Sequence, residues 1–350
     1  MTRNKIKVLI VDDSALIRSI LRNLLEQDPN IKVAGNAVNG LDALKKAREL
    51  KPDVIILDIE MPVMDGITCF QNLKRQGRYG VIIISGHSKE VINATIRGLE
   101  DGAIDFISKP DNVFDISPDE IIEKVKLAYK AQKAEEQNST LSKHRIERAD
   151  IAPNDVDLKY IIAIGISTGG PKALATILPE FPANLPAAIV IVQHMPPGFT
   201  GSLAARLNEL CQLKVKEAED GDELKAGYAY IAPGNYHLTF KSKGDKTFVV
   251  LDQSPAVGGF RPNADVMMTS LAQSDNKNII GVIMTGMGSD GSKGLMELKK
   301  KKNAYIVAQD ESSSIVFGMP RSAIELGIVD KTVPLKEIPA CIMNFMGVRY

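Results

Sequence analysis

Residues 6–25 read IKVLIVDDSALIRSILRNLL, and this stretch decides the fold of the first half of the chain. Ile6–Val11 is short and nearly all apolar, as a strand buried on both faces of a parallel sheet should be. Asp12 and Asp13 end it, and apolar residues then return at helical spacing over 14–27. Working outward, strands are expected at 32–37, 54–57, 81–84 and 103–107, with helical patterns between them such as 41–50. Strict alternation of β and α predicts an open, doubly wound parallel sheet with right-handed crossovers.

A helical pattern runs from Ser117 to about Glu136, after which periodicity is lost. Residues 137–140 are polar and 143–157 are charged with a proline at 153, which reads as an interdomain linker; a long helical extension is the alternative. The second half resumes α/β alternation. Strands are expected at 160–164, 187–192, 227–232, 248–251, 279–284 and 304–308. Helices are expected after Gly170, near Thr200, near Asn263, after Gly291 and near Pro320. The fold class is therefore α/β: two doubly wound parallel-sheet domains, the first flavodoxin-like (5–122) and the second Rossmann-like (158–350), joined by a linker (123–157).

Composition sets the outer limits. A chain of 350 residues with 44% hydrophobic content has material for two cores. Its 43 basic and 43 acidic residues cancel, so no global field draws it to nucleic acid. Cys69, Cys211 and Cys341 are scattered and odd in number, without metal-ligand spacing, as expected in a reducing compartment. The N-terminus carries no apolar signal-like run, and no apolar stretch approaches the ~18 residues that would span a bilayer. A cytoplasmic protein without membrane insertion is expected.

The expected strand ends carry chemistry. Asp12 and Asp13 follow the first strand, Asp58 ends the third, Ser85 the fourth, and Lys109 follows the fifth. In an open parallel sheet, ligands bind beyond the carboxyl ends of the strands. Three carboxylates gathered there repel one another unless a cation shares them, and an all-oxygen set suits Mg²⁺. Lys109 can neutralise a phosphoryl group, Ser85 can hydrogen-bond one, and the Lys109–Pro110 bond is a candidate cis peptide. Each residue alone reads equally as a polar cap; the joint pattern is what argues for a site.

In the second half, residues 161–174 read IIAIGISTGGPKAL and contain Gly165-Ile166-Ser167-Thr168-Gly169, a G-x-S-x-G turn between strand and helix. That turn alone admits two readings, a nucleophile elbow or a phosphate cradle at a helix N-terminus. A serine nucleophile needs a base. Of the four histidines, His87 lies in the first half, His144 in the linker, and His237 in the strand-like GNYHLTF, where a structural role is expected. His194 follows the strand at 187–192 and would project from the same sheet edge as Ser167, so it is the expected base. Asp290, in the glycine-rich TGMGSDGSKG, is the expected orienting acid; an ordinary N-cap is its bland alternative, and Asp222 is a competing carboxylate that reads better as a turn residue.

These motifs resemble known families. VLIVDDSALIR, PDVIILDIEMPVMDG and GAIDFISKP are similar to the two-component receiver domain over 5 to about 122. AIGISTGGPKAL, VQHMPPGFT, AYIAPGNYHL, RPNADV, TGMGSDGSKGL and VAQDESSSIVFGMPRSA resemble the chemotaxis protein-glutamate methylesterase (CheB) family from about 158 to the C-terminus. The first resemblance implies phosphorylation of Asp58 by a histidine kinase, Mg²⁺ near Asp13 with Asp12 and Asp58, and switch positions at Ser85 and Phe106 beside Lys109. The second implies a Ser167–His194–Asp290 triad, with backbone N–H groups of Thr168 and Met287 as oxyanion candidates. It further implies demethylation of glutamate methyl esters and deamidation of glutamines on chemoreceptors, with no cofactor for the esterase. The tandem arrangement suggests a receiver that restrains the serine edge until Asp58 is phosphorylated. One departure is Asn303, where the family pattern has glycine; asparagine is the next-best residue for a left-handed helix end.

Two other classes remain to be weighed. A second half that binds DNA would need a basic bias or a helix-turn-helix pattern, and neither is present. A nucleotide-binding Rossmann domain would need GxGxxG, which GISTGG does not match.

Overall fold

The computed structural model describes residues 5–109, 117–137 and 156–348. They form two compact units, each considered by itself.

In the first unit, β1 (Ile6–Val11), α1 (Ala15–Leu25), β2 (Ile31–Ala37), α2 (Gly40–Leu50), β3 (Val54–Asp58), α3 (Gly66–Gln76), β4 (Gly80–Ser85), α4 (Lys89–Glu100), β5 (Asp105–Ser108) and α5 (Pro118–Gln137) follow in strict alternation. The sheet runs β2-β1-β3-β4-β5, every pair parallel. All residues of β3 and β4 are buried, which is why their sequences are apolar up to the final Asp58 and Ser85. Ser14, Asn39, Asp65 and Ser88 cap α1 to α4 through their side-chain oxygens, so each helix begins just beyond a strand's carboxyl end. Helix α5 begins within the stretch read as the first domain and runs through the opening of the stretch read as linker. Its Ile121, Val125 and Ala128 are buried, and a Cβ on Gly80 would stand 2.5 Å from the Ala128 carbonyl oxygen. Pro110, His144 and most of the expected linker lie outside the described residues.

The second unit contains β6 (Tyr160–Ile166), α6 (Gly170–Ile177), β7 (Ala187–Gln193), α7 (Phe199–Leu210), β8 (Lys214–Glu217), β9 (Tyr228–Ile231), β10 (His237–Lys243), β11 (Lys246–Asp252), α8 (Ala264–Gln273), β12 (Ile279–Ile283), α9 (Ser292–Lys302), β13 (Tyr305–Gln309), α10 (Gly318–Glu325), β14 (Lys331–Val333) and α11 (Ile338–Met346). Seven strands form one all-parallel sheet in the order β14-β13-β12-β6-β7-β9-β8. The chain starts near the middle at β6, builds outward through β7, then returns to place β12 on the other side of β6. The order therefore reverses at β6, and the crevice beyond its carboxyl end is where a doubly wound sheet places its ligand.

Two details differ from the sequence reading. The expected strand at 248–251 is part of β11, which pairs antiparallel with β10 as a separate hairpin outside the parallel sheet. Gly244, at φ 63°, makes the tight reversal between them. The edge strands β8 and β14 leave almost no period to read: each is short and carries a single apolar residue, Val215 and Val333. Asn303 does occupy the left-handed end of α9, at φ 51°.

Candidate active site

The strand ends of the first unit gather the expected acids. Asp12 and Asp58 are buried, Asp13 is exposed, and one oxygen from each lies within 4.8 Å of the others. Lys109 Nζ stands 2.8 Å from Asp58 Oδ2 and 3.3 Å from Asp12 Oδ2. Burial pushes the Asp58 carboxyl up to about 6 although Lys109 opposes it. Burial pulls Lys109 down, but its pairing with Asp58 and Asp12 outweighs this and leaves it above its ordinary value. An all-carboxylate, oxygen-only set of this spacing, with two buried oxygens facing a single ammonium, fits one hard divalent cation. Ser85 and Phe106 are also buried. The Ser85 hydroxyl lies 2.7 Å from Thr95 Oγ1 on α4. The Phe106 ring has Lys124 Nζ 5.6 Å from its centroid.

In the second unit the turn after β6 is built tightly. Gly169 adopts φ 79° as the cap of α6, Pro171 sits in the helix's first turn, and Gly170 N–H donates to the Ser167 carbonyl at 2.8 Å. Ser167 N–H donates to the Thr285 carbonyl at 2.9 Å, and Thr285 Oγ1 donates to the Thr168 carbonyl at 2.9 Å, so β12's exit holds the turn from one side. Buried Gln193 holds it from the other: its Nε2 donates to the carbonyls of Ser167 (3.0 Å) and His194 (3.3 Å). A Cβ on Gly170 would stand 1.7 Å from Gln193 Oε1, so only glycine fits there without displacing that clamp.

Ser167, His194 and Asp290 come together at the ends of β6, β7 and β12. His194 Nδ1 lies 3.1 Å from Ser167 Oγ, and His194 Nε2 lies 2.7 Å from Asp290 Oδ2. The carboxylate can only accept, so Nε2 carries the proton and Nδ1 offers its lone pair to the serine. Asp290 is not the cap of its own following helix. Its carboxylate instead accepts from Ala264 N (2.7 Å) and Asp265 N (3.0 Å) at the start of α8, and from Gly291 N at 2.9 Å. Burial alone would raise Asp290, but the His194 hydrogen bond and charge and these N–H donors hold it below the ordinary carboxylate value.

The oxyanion candidates flank the serine. Thr168 lies at the head of α6, and Met287 lies in the loop after β12. That loop abuts Ser167: a Cβ on Gly286 would stand 2.9 Å from Ser167 Cβ. The loop is pinned by Gly286 N donating to Val316 O and by Gly318 N and Met319 N donating to Gly286 O.

The other candidates lie elsewhere. His237 is buried in β10 with Nε2 3.2 Å from Pro255 O, and His87 Nε2 lies 3.1 Å from Ser108 Oγ in the first unit. Asp222 closes a turn, accepting from Glu219 N and Lys216 Nζ. Gln193 and Thr285 escaped the sequence reading. Gln193 sits beside His194 in VQHMPPGFT and Thr285 opens TGMGSDGSKGL, and membership of those motifs is the only signal either offers.

The fold and site define an α/β protein that carries an acidic, receiver-type strand-end pocket on one sheet and a serine–histidine–aspartate line on another. The CheB methylesterase family model matches residues 162–342 and the response regulator receiver domain model matches 8–126. The chain belongs to the CheB methylesterase family, with a response regulator receiver domain ahead of the methylesterase domain. A protein-glutamate methylesterase/protein-glutamine glutaminase of Pyrococcus abyssi is 43% identical over 98% of this chain and 94% of its own length. One so named from Thermotoga maritima is 43% identical over 99% of this chain and its entire length. The crystal structure of the Thermotoga maritima CheB methylesterase catalytic domain is 46% identical, covers 54% of this chain and all of that one, and superposes with a TM-score of 0.52.

Proposed function

We propose that this chain is a phosphorylation-controlled serine hydrolase that demethylates glutamate methyl esters and deamidates glutamines on chemoreceptors, giving adaptation in chemotaxis signalling. The observation that carries the reading is the unbroken hydrogen-bonded line from Ser167 through His194 to Asp290.

In the proposed chemistry, His194 Nδ1 takes the proton as Ser167 Oγ attacks the side-chain carbonyl carbon of the ester. The charge developing on the carbonyl oxygen meets the N–H groups of Thr168 and Met287; losing one such donor costs about 10²–10³ in rate. His194 then passes its proton to the departing methoxide, releasing methanol. Water, deprotonated by the same nitrogen, attacks the acyl-enzyme and leaves a glutamate carboxylate and free Ser167. With glutamine, ammonia leaves in place of methanol. Asp290, held ionised by α8, fixes the tautomer and faces the imidazolium that forms.

In the receiver, Asp58 accepts a phosphoryl group from a histidine kinase; Asp12, Asp13 and Asp58 would hold Mg²⁺, which would offset phosphoryl charge when bound. Lys109 pairs with the added charge, and Ser85 and Phe106 report it. We take 5–122 as receiver, 158–350 as the catalytic domain and 123–157 as the joining segment, helical at its start. No described helix is long and apolar enough to cross a membrane, and a cytoplasmic location at the receptor tails fits the substrate.

The test is methanol release from methylated receptor membranes, with and without a small acyl-phosphate donor. Activity that rises with the donor, disappears in Ser167→Ala and becomes donor-insensitive in Asp58→Asn is expected. Persistence in Ser167→Ala would overturn the mechanism.

A further inference from the structure

An imidazole's outer torsion has a broad, roughly two-fold preference, so hydrogen bonds to two opposite edges need help to keep the ring in one plane. That help is present on one face of His194. The Phe260 ring lies on the imidazole with centroids 4.1 Å apart and planes 7° from parallel.

Phe260 is itself held firmly. It closes a small reversal with Val257, with backbone hydrogen bonds in both directions at 3.0 and 3.1 Å, around Gly258 and Gly259 in left-handed conformations (φ 59° and 85°). Arg261 Nη1 donates to the carbonyls of Gln253 (2.8 Å) and Ser254 (2.9 Å), and its Nη2 donates to Asn235 Oδ1 (2.6 Å). Asn263 Nδ2 donates to the Val257 carbonyl at 3.1 Å. Four residues after Phe260, Ala264 N and then Asp265 N grip Asp290. One short segment, 260–265, thus places an aromatic wall against the base and two donors against its carboxylate partner.

We propose that Phe260 is a positioning residue for the reaction: its face keeps the His194 imidazole in the plane that joins Ser167 Oγ to Asp290. The inference rests on the proposed esterase mechanism. The stack also acts differentially. An aromatic face attracts a cation more than a neutral ring, so the contact strengthens as His194 gains the serine proton.

Phe260→Leu removes the flat face and keeps apolar bulk, while Phe260→Tyr keeps the face. In the full-length phosphorylated protein, Leu should lower kcat for methanol release about tenfold or more with KM nearly unchanged, and Tyr should stay within about threefold of the parent. ¹⁵N spectra, with His194 assigned through a His194→Gln variant, should show one fixed Nε2–H tautomer in the parent and in Phe260→Tyr, and averaging in Phe260→Leu. An unchanged kcat and a fixed tautomer in Phe260→Leu would overturn the proposal, as would averaging already in the parent. If Phe260→Leu does not fold, Phe260→Met carries the same comparison. A parent with no methanol release at all would count against the esterase reading, and the tautomer comparison would still decide the role of Phe260.

Discussion

Asp290 and Asp265 each cap the other's helix. Asp290 accepts from the N–H groups of Ala264 and Asp265 that open α8, and Asp265 Oδ1 accepts from Gly294 N at 2.7 Å in the first turn of α9. The two carboxylates do this under opposite electrostatic conditions. Burial first, and then the neighbouring Asp290 charge, raises Asp265, whereas Asp290 is held low by His194 and the α8 donors despite its own burial. The pair is thus divided into a carboxyl held below its ordinary value against His194 and one raised above it behind.

A depressed carboxylate contributes stability that is present above the unfolded value of 3.8 and lost as pH falls through the lower folded value. Asp290→Asn should therefore destabilise the catalytic unit at pH 7, by about 1–3 kcal/mol, with the gap closing below pH 3.8. A raised carboxylate has the reverse sign: its contribution is full below 3.8 and is lost as pH rises through the folded value. Asp265→Asn, which can still accept from Gly294, should match or exceed the parent in stability at pH 7 and lose any advantage in acid. Urea unfolding at a series of pH values checks both. Methanol release should fall at least about a hundredfold in Asp290→Asn and only a few-fold in Asp265→Asn.

Gly286 supplies a second test. A methyl group there would meet Met319 Sδ at 2.2 Å and Ser167 Cβ at 2.9 Å. The thioether can swing aside, but Ser167 is fixed by Thr285 and Gln193, so the strain falls on the proposed nucleophile, Ser167. Gly286→Ala should lower kcat about a hundredfold, because displacements near 1 Å cost that much, while the thermal unfolding midpoint moves by only a few degrees. Full activity in a folded Gly286→Ala would show that the loop does not press on the serine.

Much of this arrangement was legible because burial on both faces writes itself into the chain. β3 and β4 are apolar up to their last residue and β1 is broken only by Lys7, and a polar residue at the end of such a run is conspicuous. Asp58, Ser85 and His194 stand out that way, and Ser167 stands out by the G-x-S-x-G turn around it. Asp290 was found by its glycines, yet its partner helix was not legible: it caps α8, 25 residues earlier, rather than the helix it precedes. Gln193, Thr285 and Phe260 act through contacts that no local pattern encodes. The edge strands β8 and β14 need only one buried valine each and so carry almost no period. The Gly244-Asp245 turn marks β10 and β11 as a hairpin, but the outer partners of β11 are Gly221, Asp222 and Leu224 of a preceding loop rather than a strand of the main sheet, and its own sequence does not reveal that.

Thr95 suggests a third measurement. Its Oγ1 donates to the Val91 carbonyl at 2.8 Å and lies 2.7 Å from Ser85 Oγ in a fully buried site. Ser85 must exchange this partner for a phosphoryl oxygen if it is to report phosphorylation of Asp58. A neutral buried hydrogen bond contributes about 1 kcal/mol, so removing it should favour the phosphorylated arrangement roughly fivefold. Thr95→Val, which keeps the shape, should reach half-maximal methanol release at about one fifth of the parent's phosphodonor concentration. An unshifted dose response would mean that the hydroxyl pair does not restrain the switch.

Asp58 itself should make the receiver's stability depend on pH when divalent cations are chelated. Burial raises its carboxyl from 3.8 to about 6, against the pull of Lys109. Below 3.8 the group is protonated whether the domain is folded or not, and it costs nothing. Between 3.8 and about 6 the unfolded chain ionises while the folded one keeps its proton, so stability falls as pH rises; above about 6 the folded group also ionises and the full cost is reached. Asn cannot ionise and leaves Lys109 its second partner, Asp12, at 3.3 Å. Asp58→Asn should therefore equal the parent near pH 3.5 and exceed it by about 1–3 kcal/mol at pH 7.5. Unfolding of the receiver followed in chelator at both pH values is the check, and an advantage that shrinks as pH rises would reverse the assigned sign. Restoring Mg²⁺ should narrow the gap at pH 7.5, because a cation shared by the three acids lowers the cost of ionising Asp58 only in the parent.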